Sequence, residues 1–78
     1  MSQEDSAILW RKGKWRVEWW NPDNPSSTSL AVANGINQYN CVIYDDGTVA
    51  YDFPERIPNY VRDVIRRKAP KWAAERQA

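Results

Sequence analysis

Apolar and polar positions alternate from Ala7 to Trp20 on either side of a Lys12-Gly13 pair. Glycine tolerates the positive φ that tight hairpin turns demand, so the pattern predicts two strands joined at Lys12-Gly13. That register pairs Arg11 with Lys14, Trp10 with Trp15, Ile8 with Val17 and Ser6 with Trp19. Opposed residues of an antiparallel pair share a face. One face then carries Ile8, Trp10, Trp15, Val17 and Trp19, and the other carries Ala7, Leu9, Arg11, Lys14, Arg16, Glu18 and Trp20. Trp10, Trp15 and Trp19 read as core, while Trp20, one residue past Trp19, points out of the opposite face.

The stretch from Asn21 to Ser29, with two prolines among Asx and Ser residues, is a loop. Asn34-Gly35 is a hairpin signal that makes residues 28–33 a strand; a short helix capped by Ser27 and stopped by Gly35 also fits. The strand is preferred, because eight residues is little for a helix. Asp45-Asp46-Gly47 suits a type I turn followed by a left-handed glycine. In that register Tyr39, Cys41 and Ile43 join Val49, Tyr51 and Phe53 on one face, leaving Asn40, Val42, Tyr44, Thr48, Ala50 and Asp52 on the other. A two-residue Asp46-Gly47 turn would mix Asn40 and Asp45 with the apolar set, so the sorting of faces favours the bulged turn.

After Phe53 the period changes to helical. Pro58 suits a first helical position, and Tyr60, Val61, Val64 and Ile65 recur on one side, opposite Asn59, Arg62, Asp63 and Arg66. Pro70 is expected to stop or kink this helix, with Trp72 the sole anchor of the residues beyond it. The expected architecture is one small α+β domain over residues 1–78: an antiparallel sheet of four to five strands packed against a C-terminal helix. Residues 1–6 are expected to be a tail, and residues 70–78 a tail or short helix.

Seventy-eight residues allow only a small core, and a single cysteine excludes an intrachain disulfide that would brace it. The five tryptophans and four tyrosines are the substitute, because each buried ring removes a large apolar area from water. A lone thiol suits a reducing compartment, and the acidic N-terminus lacks a signal peptide's positive charge, so a cytoplasmic location without a membrane span is expected. Net charge is +1, yet residues 17–55 hold six carboxylates and no Lys or Arg, flanked by basic stretches at 11–16 and 56–78. The molecule is therefore bipolar along its sequence.

Chemistry has little to work with. There is no histidine, no glycine-rich phosphate loop and no metal-ligand spacing, and Asp45 and Asp46 stand where a turn wants Asx residues. Cys41 falls on the core face, where a thiol is inert. No catalytic residue, metal or cofactor is expected. Binding is the better reading, because exposed Trp, Tyr and Arg anchor protein interfaces. The expected docking set is Trp20, Tyr44 and Trp72 with Arg11, Arg16, Arg62 and Arg66, meeting an acidic patch of another protein, of a second copy or of a larger complex. The alternative is an RNA- or DNA-binding module using Arg11, Lys12, Lys14 and Arg16 at the hairpin tip with Arg66, Arg67 and Lys71 on the helix.

Overall fold

The computed structural model of the chain describes residues 8–77; the expected N-terminal tail and the Ser6–Trp19 pairing lie outside them. Five strands, β1 (Ile8–Lys12), β2 (Trp15–Trp19), β3 (Ser29–Asn34), β4 (Asn37–Ile43) and β5 (Val49–Tyr51), form one sheet in the order β1-β2-β3-β4-β5, each antiparallel to its neighbour. A 3₁₀ turn over Pro54–Arg56 leads into a single α-helix, α1 (Asn59–Gln77). The fold is the α+β arrangement that the periodicities predict.

The first two hairpins turn one residue later than expected. Lys12 pairs with Trp15 and Asn34 with Asn37, so the turn residues are Gly13-Lys14 and Gly35-Ile36. Both primed turn types require positive φ at the first central position. A Lys12-Gly13 turn would force that conformation on a lysine, at a cost of about 1–2 kcal/mol. The observed turns give it to glycine, with φ of 60° at Gly13 and 63° at Gly35, and no other residue type has positive φ among the described residues. The shift moves each cross-strand partner by two, so it leaves the faces intact: Trp10 opposes Val17 instead of Trp15, still on the core side. A bulge between Ile8 and Trp10 does change faces. Ile8 opposes Glu18 on the outer side, and Leu9 packs against the core in its place.

The third hairpin has the bulged turn read from the sequence. The Gly47 N–H donates to the Tyr44 carbonyl at 2.9 Å, the Tyr44 N–H to the Thr48 carbonyl at 2.8 Å, and Cys41 and Ile43 oppose Tyr51 and Val49. Phe53 lies past the end of β5 and is 50% exposed, with its ring edge-on to that of Tyr39, the residue it was expected to share a face with. Residues 29–34 are a strand, the central one, hydrogen-bonded on both sides and buried at Leu30, Ala31, Val32 and Ala33.

Helix α1 lays Val61, Ile65, Ala69 and Trp72 onto the sheet, at the i, i+4, i+8, i+11 positions of one helical stripe. It continues through Pro70 to Gln77, so of the expected stop or kink the stop does not occur. Proline deletes one N–H from the helical ladder. Here Ala69 and Trp72, buried on either side of it, hold both halves of the helix down, while the Pro70 ring faces outward against Gly47. The Pro58 carbonyl accepts the Arg62 N–H at 3.0 Å and so opens the helix. The core lies between this stripe and the side chains of Val17, Trp19, Leu30, Val32, Cys41 and Ile43, closed at one end by Ile57.

Candidate interaction surface

A five-stranded sheet has two faces, and among the described residues a helix covers only one of them. The register assigns the residues of the open face row by row. Trp20 aligns with Ser29 through its N–H, which donates to the Ser29 carbonyl at 2.8 Å; Ser29 pairs with Val42, and Val42 with Ala50. Tyr44 lies just past β4, where the alternation continued from Val42 assigns it to the same face; with Asp45 and Asp46 it also borders a cleft of about 460 Å³ against Pro70, Ala73 and Ala74 of α1. Strands lie about 4.8 Å apart, so Trp20 and Val42 are about 10 Å apart with only a serine between them. Trp20 and Tyr44 are each 54% exposed. Further along the sheet Ala31 and Ala33 are covered by their longer neighbours: an Arg16–Glu18 ion pair of 2.6 Å on β2, and Gln38 donating to Asn40 on β4.

The remaining expected docking residues are divided by the fold. Arg11 opposes Arg16 on the open face toward the hairpin tip, with Arg16 four residues from Trp20, about 13 Å. Arg62 and Arg66 are in the helix layer, lining a groove of about 830 Å³ between β5 and α1 together with Tyr51 and Tyr60. Arg62 donates to the Ile57 carbonyl at 3.1 Å and to the Asn59 side chain, and the Tyr51 hydroxyl donates to the Arg62 carbonyl at 3.3 Å. Trp72, expected on the docking surface, is 6% exposed and belongs to the core. Its helical spacing from Val61, Ile65 and Ala69 puts it there once the helix passes Pro70.

The basic set is divided in the same way. Lys12 lies on the core side with its Nζ 5.6 Å from the Tyr60 ring centroid, and Lys14 is at the exposed tip. Arg66 and Arg67 both bind Asp63, at 2.6 and 3.0 Å, and their guanidinium groups hold its carboxyl below the usual range. Lys71 is exposed on the helix.

Asp46 accepts the Thr48 hydroxyl at 2.6 Å and its N–H at 3.0 Å, which lowers its pKa and ties the turn. Burial pushes the Cys41 thiol up from 9.0 to about 12, with Asp52 adding to the rise. Among the described residues no three Cys, Asp or Glu side chains gather as a metal site would need.

Sequence reasoning missed Arg76. Its Nε donates to the Ser27 carbonyl at 2.6 Å, one terminal nitrogen donates to the Asn21 and Asn24 carbonyls at 2.5 Å each, and the guanidinium stands 4.4 Å over the Trp19 ring. The helix end thereby clamps the loop that follows Trp20. Around fifty residues separate the partners in sequence, so no local pattern signals the contact. Among the described residues no helix is long and apolar enough to cross a membrane. No protein-family model matches this chain, and neither a curated protein nor a solved structure shows significant similarity to it.

Proposed function

We propose that this chain is a small non-catalytic protein–protein interaction module that docks through the Trp20–Tyr44 end of its open sheet face. The observation that carries the reading is the placement of two half-exposed aromatic rings, with Val42 and Ala50, on the sheet face that no helix covers among the described residues. Burying an aromatic side chain at an interface removes a large apolar area from water at the cost of only two side-chain torsions, which makes Trp and Tyr common anchors. Val42, Ala50 and the serine between the anchors leave a flat surface suited to another folded surface. The loop after Trp20 is held by Arg76, so little ordering remains to be done on binding. An adapter, an assembly or regulatory subunit and an inhibitor all fit this description. A cytoplasmic setting suits its single buried thiol.

The test is a paired variant. Trp20→Ala with Tyr44→Ala is expected to leave the thermal unfolding curve nearly unchanged while abolishing partner capture and any self-association seen by sedimentation. Identical capture and sedimentation profiles for the variant and the wild type would remove the reading. The nucleic-acid alternative is less well supported, because its cations are spread over both layers and Asp63 engages two of them. A mobility shift that weakens steeply with salt would restore it.

A further inference from the structure

Charge around the aromatic end of the open face has one sign. Glu18 neighbours Trp20 on β2 but is already paired with Arg16. Asp45 and Asp46 follow Tyr44 directly and are exposed, and Asp52 is exposed on the same face opposite Asn40, one row from Val42 and Ala50. Asp23 is exposed in the loop after Trp20. No Lys or Arg occurs from Val17 to Glu55. Cations reach this end from the helix side: Arg76 uses its donors on loop carbonyls, and Arg66, bound to Asp63, lines the groove that Thr48 also borders. Arg11 and Arg16, which would favour an acidic partner patch, lie toward the hairpin tip, and Arg62 and Arg66 lie in the helix layer.

We propose that the Trp20–Tyr44 surface takes a basic segment of a partner protein, with Lys or Arg side chains over the two rings and their charges met by Asp45, Asp46 and Asp52. This rests on the docking reading above and names the partner's chemistry. Two features act together. A cation over an aromatic face is attracted by the ring quadrupole, most strongly for indole. Carboxylates close by that bind no cation among the described residues supply the complementary potential that steers and orients such a segment. Asp46 stays ionised because Thr48 stabilises its carboxylate. A nucleic acid or an acidic peptide would meet like charge here.

The experiment is an NMR titration of the intact chain with a short blocked peptide of alternating Gly and Lys. Its Gly-Glu counterpart and an oligouridylate serve as comparison probes. The Lys peptide is expected to shift the Trp20 indole N–H and the Tyr44–Asp46 amides saturably. Binding should weaken about tenfold in the Asp45→Asn/Asp46→Asn variant and again at high salt. Asparagine keeps the acceptor that the turn needs, so this variant folds. An unmoved Trp20 indole under the Lys peptide, or shifts confined to the Arg11–Lys14 tip, overturns the proposal. Shifts of the Trp20 indole by the Glu peptide or the oligouridylate, with none by the Lys peptide, overturn it while leaving this face a docking surface. The docking reading itself falls separately, if Trp20→Ala/Tyr44→Ala retains partner capture.

Discussion

Gly47 has two reasons to be glycine. Its φ is 88°, which a side chain rarely adopts, and a Cβ there would stand 3.3 Å from the Pro70 Cγ. Gly13, at φ 60°, has nothing within 4 Å of the same position. Gly13→Ala is therefore expected to cost about 1–2 kcal/mol from backbone strain alone, and Gly47→Ala measurably more, read as the difference in urea midpoints. Cys41 and Tyr51 form a second residue-scale pair. Burial raises both, the thiol from 9.0 and the phenol from 10.0, each to about 12. Above pH 9 the unfolded chain releases protons that the folded chain still holds, so ionisation favours unfolding. Stability from these groups is intact below 9 and is lost as pH rises toward 12. The urea midpoint should fall between pH 9 and 11, and Cys41→Ala should flatten the early part of that fall. A thiol reagent at pH 8 is expected to leave Cys41 unmodified until urea unfolds the chain.

At the scale of elements, the helix and the long loop depend on each other. Arg76 reaches three backbone carbonyls and stacks over Trp19, although it stands in the last turn of α1. Hydrogen bonds from a charged donor are worth about 1.5–3 kcal/mol where sheltered and less near solvent. Arg76→Met, which keeps much of the aliphatic stem, is expected to cost about 1–2 kcal/mol. It should also speed amide hydrogen exchange at Ser27, whose N–H bonds to Asn24 within the clamped loop. Equal exchange rates in the two proteins would show that the loop holds itself. This contact escapes a local reading because a cation in a final turn also fits the helix dipole. Pro70 misleads for a similar reason. Its propensity forecasts a break, and the burial of Ala69 and Trp72 outweighs it.

Across the whole molecule, the core and the proposed docking surface lie on opposite sides of one sheet. Trp72→Ala, which empties a core position, is expected to cost about 3–5 kcal/mol. Trp20→Ala should change stability by about 0.5 kcal/mol or less and act on binding alone. Comparable melting losses for the two would mean that Trp20 is part of the fold's support. The strand faces were legible because each is written in a two-residue period that survives a slip of two, as the Trp10–Val17 pairing shows. The Leu9 bulge was not legible, since Ile8 and Leu9 are equally apolar and only packing selects between them. The candidate surface was half legible. Trp20 and Tyr44 follow from alternation, whereas the separation of Arg62 and Arg66 from them depends on which face the helix covers.

By itself the chain's pattern determined the α+β class, the side of the sheet that the strand residues after the Leu9 bulge occupy, and the bulged turn at Gly47. These are consequences of local period and backbone sterics. Tertiary structure decided which exposed residues share a surface, sent Trp72 into the core, and brought Arg76 to a loop some fifty residues away. Those outcomes depend on where one helix settles on one face, and that is set by packing between segments that no local pattern connects.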